Sequence, residues 1–225
     1  MTKNIHIFLQ NILKFSFDWC IIRVTLQNMM EACMNIHLPF TKEIIETLKA
    51  GDTVSVSGVM YTARDAAHKR MMQALEAGEP LPFDVKGQTI YYAGPCPAKP
   101  GSVIGSCGPT TSGRMDSYTP ALLDLGLIAM VGKGERSSEV LASMKKNGAI
   151  YLGAIGGAGA LYADSIQKVE VIAYEDLGPE SVKRFEVLNM PLTVICDIHG
   201  NNLFDKKKQL SNTLFCIRLC VGQIK

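Results

Sequence analysis

Hydrophobic and polar positions follow regular patterns through the middle of the chain. Alternation through Val54 and Val56 predicts a strand that ends at Gly58. Further strands are predicted from the apolar runs QTIYYAG, LIAMVGKG, AIYLGAI, KVEVIAY and PLTVICDI, with GPESVKRFEV connecting the last two. Helical segments lie between several of these runs without strict spacing. The pattern therefore predicts an α/β fold, layered around a mixed sheet, rather than a doubly wound parallel sheet.

Residues with known capping preferences mark the ends of the predicted helices. Thr62, with Asp65 three residues later, resembles a capping box before a helix that Gly78 closes. A serine cap and a stop at Gly148 bound the helix in SSEVLASMKKNG. A third helix is expected to start near residues 112–114 and to continue to Gly126.

The two ends of the chain differ in character from the middle. Apolar residues in the first segment share one helical face, which predicts an amphipathic helix too polar to span a bilayer. We expect an N-terminal extension (residues 1–37), one compact domain (38–204) and a C-terminal extension (205–225). No secretory signal is indicated, so a cytoplasmic location is expected, and a mitochondrial one stays open.

Composition narrows the class of protein. The chain has 225 residues, 47% of them hydrophobic and 20% charged, which is typical of globular proteins. Its net charge of +2 is spread along the sequence, so neither nucleic acid nor a membrane is expected as a partner. The seven cysteines have no CxxC pair and no metal-ligand spacing, which indicates neither a disulfide framework nor a metal site. His68 and His199 lack a second ligand at suitable spacing and are expected to be structural.

A glycine- and proline-rich segment at residues 94–111 leads into the sequence GPTTSGRMD. Long loops of this composition are uncommon unless they are functional, and they bring backbone N–H groups close to a ligand. Thr110, Thr111 or Ser112 could cap the following helix, but capping needs only one hydroxyl. Arg114 adds a planar fork suited to a carboxylate or phosphate. An anion site and a plain capped helix both fit this stretch.

Two more basic residues occupy comparable positions after strands. Arg64 lies at a helix start, where a cation opposes the helix dipole, so its structural role would be a salt bridge to Asp65 or Glu31. Lys133 lies between two glycines directly after an apolar strand. The phosphate-loop pattern is not met, because Gly134 follows the lysine. The glycines of AIGGAGALYAD lack dinucleotide spacing and indicate close backbone packing or an anion cradle.

Taken together, these motifs resemble a known enzyme family. The segments YTARDAAH, GPTTSGRMD, MVGKGERS, AIGGAGALYADSI, VIAYEDLGPESV and DIHGNNLF occur in the same order as in the β-subunits of class I fumarate hydratase and L-tartrate dehydratase. These are iron–sulfur hydro-lyases, and the resemblance covers about residues 38–204. It implies a swivelling β/β/α domain that closes over an active site shared with an α-type chain or domain. A hetero-oligomer or a homodimer is therefore expected.

The resemblance also implies roles for individual residues. It implies that Thr110 is the catalytic base and that Arg64, Arg114 and Lys133 clamp the carboxylates. Thr111 is expected to be a further substrate-binding residue, as a hydrogen-bond partner. A threonine hydroxyl has a very high pKa, so it could act as a base only if neighbouring cations and a further acceptor lowered that barrier. A cluster of basic side chains is independently what a dicarboxylate requires.

The resemblance assigns the cofactor to the partner. A four-iron four-sulfur cluster would be held by three cysteines of the α-type chain, so neither Cys96 nor Cys107 is expected to be a ligand. The expected activity is the reversible dehydration of malate to fumarate, or of L-tartrate to oxaloacetate, only with the partner present. The shared motifs do not distinguish these substrates. Two alternatives stay open: a dicarboxylate-binding module without catalysis, and a scaffold.

Overall fold

The computed structural model describes residues 34–205, and those from Asn35 onwards belong to one compact unit. The strands are β1 (Met34–His37), β2 (Thr53–Thr62), β3 (Thr89–Tyr91), β4 (Ala129–Gly132), β5 (Ile150–Gly153), β6 (Ile166–Ala173) and β7 (Val182–Cys196). The α-helices are α1 (Lys42–Thr47), α2 (Asp65–Glu76), α3 (Thr119–Asp124), α4 (Ser138–Asn147) and α5 (Gly159–Asp164). Two 3₁₀ helices cover Ser112–Met115 and Glu175–Glu180. The amphipathic helix predicted near the N-terminus lies outside the described residues.

The sheet combines parallel and antiparallel strands. Its order is β1-β2-β3-β4-β5-β7-β6. The pairs β2–β3, β3–β4 and β4–β5 are parallel, and β7 is antiparallel to β5 and β6. β7 also pairs antiparallel with β2 along most of its length. The pairings of β2, β3, β4, β5 and β7 therefore form a closed ring. The mixed α/β fold predicted from the sequence is confirmed.

Strands β2 and β7 are both longer than the sequence pattern predicts. The expected end of β2 at Gly58 is wrong, because Gly58 lies within the strand at an irregularity in its register with β7. Its φ of 118° suits glycine, and a β-carbon there would lie 2.9 Å from the carbonyl oxygen of Leu38. Residues from Val182 onwards, expected in a connecting segment, belong to β7 because β2 and β6 pair with them on its two edges.

Two apolar clusters lie on opposite faces of the central strands. Tyr91, Val131 and Leu152 contribute to a cluster with residues of β2 and β7. Their sequence neighbours Tyr92 and Met130 contribute to a second cluster with α2, α3 and α4. Burial on both faces is typical of parallel strands that are covered by helices. It explains why β4 and β5 read as continuous apolar runs.

The start of α2 differs from the predicted capping box. Thr62 is the last residue of β2, and its hydroxyl accepts a hydrogen bond from the backbone N–H of Lys183 at 3.2 Å. Arg64 occupies the N-cap position and makes no side-chain capping bond. The capping prediction was wrong because β2 continues to pair with β7 up to Thr62. Arg64 is therefore held at the junction between a strand and a helix.

The predicted helix up to Gly126 is interrupted. The 3₁₀ helix at Ser112–Met115 and α3 are separate elements, and Pro120 lies in the first turn of α3. Proline has no N–H to donate to the preceding turn, so it favours a new helix start there. The serine cap and glycine stop of α4 are confirmed, with Ser137 Oγ accepting from Val140 N at 3.3 Å and Gly148 at a φ of 66°. Among residues 34–205, none of the helices has the length and hydropathy needed to cross a membrane.

Candidate active site

Backbone hydrogen bonds join the loops that follow β3 and β4. Thr110 N donates to Tyr92 O at 2.6 Å, Lys133 N donates to Thr110 O at 3.2 Å, and Ser112 N donates to Lys133 O at 2.8 Å. Thr111 forms a parallel bridge with Lys133. The two threonines therefore lie beside the end of β4, from which Lys133 emerges as the sequence predicts. Ligands of α/β sheets commonly bind at the carboxyl ends of parallel strands.

Asp65 brings Arg64 and Arg114 together. Arg64 Nε lies 3.1 Å from Asp65 Oδ2, and Arg114 Nε lies 2.7 Å from Asp65 Oδ1. Arg64 Nη2 also lies 3.3 Å from Glu180 Oε1. The salt bridge expected between Arg64 and Asp65 is confirmed, whereas Glu31 lies outside the described residues. The pairing places two predicted carboxylate clamps next to each other.

The first residue of the glycine- and proline-rich segment makes room for Arg64. A β-carbon on Gly94 would lie 2.8 Å from Arg64 Nη1 and 3.0 Å from Arg64 Cδ. Any larger residue would displace the guanidinium, so a glycine at this position allows Arg64 to cross the loop backbone. The end of β3 and the start of α2 therefore meet at this arginine.

The glycine motif at residues 154–164 packs against the Lys133 side chain and against the loop before Thr110. The Lys133 side chain passes over Gly156, with its Nζ 3.7 Å from where a β-carbon would lie. A β-carbon on Gly159 would overlap Ser106 Oγ, and Cys107 N donates to Gly159 O at 2.9 Å. The close backbone packing expected of this motif is confirmed.

The hydroxyl groups of GPTTSG do not cap a helix. Ser112 Oγ hydrogen-bonds to Tyr151 OH at 2.8 Å, because Ser112 is buried and turned toward the core. Thr111 is the N-cap residue of the 3₁₀ helix but makes no side-chain capping bond. Within residues 34–205, the hydroxyls of Thr110 and Thr111 form no hydrogen bond. Thr110 is half-buried and Thr111 is exposed, so both can reach a ligand.

Arg136 is a buried cation next to the GPTTSGRMD loop, and the sequence analysis did not identify it. Its side chain has 0% exposure, and its Nε lies 2.8 Å from Asp116 Oδ1. Its Nη2 donates to Thr119 Oγ1 at 2.7 Å, and its guanidinium carbon lies 5.2 Å from the centre of the Tyr92 ring. The second oxygen of Asp116 accepts from Ser137 N at 2.7 Å. Arg136 therefore connects the GPTTSGRMD loop to β3 and to the start of α4. The one signal in the sequence was Asp116, an acidic residue in the loop that also carries Arg114.

His68 is a buried residue that hydrogen-bonds to the backbone of Arg64. Its side chain is buried, and Nδ1 donates to the Arg64 carbonyl oxygen at 3.1 Å. Nε2 is buried without a hydrogen-bond partner. Burial lowers the pKa of His68 to about 4, and the charge of Arg136 also lowers it, against the opposing hydrogen bond to Arg64. His68 is therefore neutral at physiological pH, as expected of a structural residue. His199 lies in a turn, where its N–H donates to Asp197 Oδ1 at 3.0 Å.

Acidification is expected to destabilise the fold through His68. Its ordinary pKa of 6.5 applies in the unfolded chain, so between pH 6.5 and pH 4 the unfolded state binds a proton that the folded state does not. The free energy of unfolding should therefore fall as pH decreases, by about 3 kcal/mol in total from this group. Chemical denaturation of the wild type and His68→Gln from pH 7 to pH 4 measures it. Equal losses in the two proteins would contradict the assignment.

The described cysteines do not form a metal site. Among residues 34–205, no three histidine, cysteine or acidic side chains come together in a way that could hold a metal ion. Cys96 is exposed, whereas burial raises the thiol pKa of both Cys107 and Cys196 to about 12. A four-iron four-sulfur cluster takes several cysteine ligands grouped together, and the described residues contain no such group. Cys20, Cys33, Cys216 and Cys220 lie outside the described residues.

Comparisons with known proteins identify relatives with two chain organisations. Fumarate hydratase 1, mitochondrial, of Leishmania major is 41% identical over 177 residues, which cover 77% of this chain and 32% of the relative. Fumarate hydratase class I, aerobic, of Escherichia coli strain K12 is 38% identical over 182 residues, covering 79% and 33%. A protein of Methanocaldococcus jannaschii that carries the name L(+)-tartrate dehydratase subunit beta is 41% identical over 172 residues, covering 74% and 88%.

The share of each relative that this chain covers differs between the two kinds of relative. The chain matches only about a third of the length of the two fumarate hydratases, but most of the tartrate dehydratase subunit. A family model described as the fumarase C-terminus matches residues 11–207. The resemblance that the motifs indicate is confirmed, and this chain belongs to the fumarase C-terminus family.

Proposed function

We propose that this chain is the β component of an iron–sulfur hydro-lyase that reversibly dehydrates a small 2-hydroxy dicarboxylate. The observation that carries the proposal is the pairing of Arg64 and Arg114 on Asp65, beside the strand end that carries Lys133. Cations grouped in this way suit a ligand with two carboxylates. The names of the relatives supply the reaction class, with malate and fumarate or L-tartrate as the candidate substrates.

The cations would act on the charge that develops during the reaction. Dehydration removes a proton from the carbon next to a carboxylate, and negative charge builds on that carboxylate. Arg114 can present its terminal nitrogens, because within the described residues only its Nε is paired. Within residues 34–205, Arg64 Nη1 forms no ion pair or hydrogen bond, and Lys133 is an exposed residue. Fixed cations stabilise such charge without having to reorganise, which lowers the barrier.

Thr110 would remove the proton in this proposal. Its backbone N–H is fixed to Tyr92 O at 2.6 Å, so the position of its side chain is set by the end of β3. A neutral threonine hydroxyl is a weak base, so Thr110 would act as its alkoxide. Forming that alkoxide needs a further group to accept the hydroxyl proton and nearby positive charge to stabilise it. Lys133, whose N–H bonds the Thr110 carbonyl at 3.2 Å, belongs to the same group of residues. Thr111 would bind the substrate through its exposed hydroxyl.

The proposal assigns the four-iron four-sulfur cluster to an α-type chain or domain. Among residues 34–205 of this chain, the cysteines belong to no group of side chains that could hold such a cluster. The relative named as a subunit beta supports a separate partner chain and hence a hetero-oligomer. A dicarboxylate-binding module without catalysis is the second candidate, since the arginine pair alone would serve binding.

The proposal is tested by anaerobic co-expression with an α-type partner from the same genome. The purified complex is assayed with malate, fumarate and both tartrate enantiomers, and calorimetry measures dicarboxylate binding. We expect turnover of one substrate pair by the complex and none by this chain alone. A complex with an intact cluster that binds malate or tartrate without turning it over would instead support the binding module.

A further inference from the structure

We infer that Asp65 is a positioning residue that aligns Arg64 and Arg114 to receive one substrate. The consequence for turnover rests on the function proposed above, whereas the alignment of the two arginines rests on geometry alone. Asp65 begins α2, directly after Arg64, and Arg114 comes from the 3₁₀ helix at Ser112–Met115. Its carboxylate therefore connects two elements that are far apart in the sequence.

Each oxygen of the Asp65 carboxylate contacts the Nε atom of a different arginine. Oδ1 lies 2.7 Å from Arg114 Nε, and Oδ2 lies 3.1 Å from Arg64 Nε. A hydrogen bond at Nε limits rotation of the guanidinium plane while leaving terminal nitrogens for another partner. Among the described residues, Arg114 has no second partner, and Arg64 uses only Nη2 on Glu180. Both guanidinium groups are therefore oriented by their inner edges and remain able to bind a carboxylate.

A carboxylate is needed at this position for two physical reasons. It neutralises repulsion between two neighbouring guanidinium groups, which would otherwise separate. It also accepts from two donors at once, which an asparagine cannot do, because the asparagine NH₂ would face an arginine N–H. Asp65→Asn should therefore lose one of the two contacts as well as the charge, while keeping the size of the side chain.

Asp65 itself is held by the surrounding structure. Glu180 Oε2 accepts a hydrogen bond from Ala66 N at 2.9 Å, which ties the start of α2 to the segment before β7. The Lys183 ammonium donates to the carbonyl oxygens of Gly178 at 2.9 Å and Pro179 at 3.3 Å, which holds that segment in place. The backbone next to Asp65 is therefore held against this segment, which limits how far its short side chain can shift the arginines.

The Asp65 contacts are expected to affect turnover more than folding. Asp65 is 28% exposed and Arg114 is 53% exposed, and ion pairs with this exposure contribute little to stability. In the co-expressed complex, Asp65→Asn should lower kcat/KM by about 30-fold, mostly in kcat, because misplaced arginines lose contacts made in the transition state. Asp65→Glu should restore part of the loss. A kcat/KM within twofold of wild type in Asp65→Asn would overturn the inference.

The matched control is Asp176→Asn. Asp176 also pairs with an arginine of α2, with Arg70 Nη1 at 2.7 Å and Nη2 at 2.6 Å, but this pair is exposed and involves neither site arginine. Its loss removes an ion pair from the same helix. We expect kcat and KM of this variant to stay within twofold of the wild type.

A second measurement tests the alignment without catalysis. Arginine Nε–H resonances of the chain are recorded by ¹⁵N NMR and assigned with Arg64→Lys and Arg114→Lys. Asp65→Asn should move both resonances and speed their hydrogen exchange, whereas Asp176→Asn should leave both unchanged. Malate should shift both in the wild type and bind about tenfold more weakly to Asp65→Asn.

The two measurements separate failure of the inference from failure of the proposed function. If the Nε–H resonances of Arg64 and Arg114 are the same in Asp65→Asn as in the wild type, the inference is overturned, whether or not the complex is active. If both resonances change in Asp65→Asn and shift with malate, but the complex shows no turnover, the inference is supported and the hydro-lyase assignment is overturned. Folding of each variant is checked by its thermal midpoint, and Asp65→Glu provides a second variant if Asp65→Asn is unstable.

Discussion

Replacing Arg114 by lysine is expected to lower kcat/KM of the assembled enzyme by about 100-fold or more. Lysine keeps the positive charge but loses the planar fork, so it cannot pair with Asp65 through Nε while binding a carboxylate through terminal nitrogens. Because the Arg114 side chain is 53% exposed, the substitution should leave the stability of the fold nearly unchanged. Steady-state kinetics of the co-expressed complex, together with thermal unfolding, measure both effects.

The control for this experiment is Arg184→Lys. Arg184 pairs with Glu186 at 2.8 Å on β7, a pair that shares no residue with the site, so its kinetics should stay within twofold of wild type. Wild-type kcat/KM in Arg114→Lys would remove Arg114 from the proposed carboxylate site. A large loss of thermal stability would show instead that the arginine has a structural role.

Replacing Arg136 by methionine is expected to reduce the free energy of unfolding by about 3–5 kcal/mol. Methionine fills much of the space but cannot bind Asp116, whose carboxylate would stay partly buried and lose its cation. The hydroxyl of Thr119 would lose its donor as well. Removing one partner of a buried ion pair costs far more than removing an exposed one, since the remaining charge is neither hydrated nor paired. Urea denaturation of the isolated chain measures the loss.

Arg70→Met provides the comparison for Arg136. Arg70 pairs with Asp176 as closely as Arg136 pairs with Asp116, but the pair is exposed, so the free energy of unfolding should hardly change. Similar losses in the two variants would show that burial does not determine the effect. A rescue experiment with Asp116→Asn in the Arg136→Met background should recover part of the stability, because the unpaired charge is removed.

The strands were predictable where their patterns are local. β4 and β5 are short apolar runs bounded by glycine, and burial on both faces gives this pattern wherever such strands occur. Gly58 was misleading, because glycine can end a strand or occupy an irregular position inside one. Only the pairing with β7, which is distant in the sequence, decides between the two. Thr62 was misread for the same reason.

The members of the candidate site were predictable, but their arrangement was not. Arg64, Arg114 and Lys133 stand out because each is a cation at a position where the local structure does not require one. The sharing of Asp65 by two arginines depends on how α2 packs against the GPTTSGRMD loop. Arg136 was missed because burial of a charged side chain depends on partners elsewhere, here 20 residues away at Asp116.

The position of β7 has a consequence for biosynthesis. Thr62 and Lys183, which hydrogen-bond where β2 meets β7, are 121 residues apart in the chain. On the ribosome, one edge of β2 therefore stays open until β7 has emerged, and an open edge can pair with strands of other nascent chains. Ring closure over such a long separation is intrinsically slow. Recovery of native protein from a heterologous host should therefore improve at low temperature or with added chaperones.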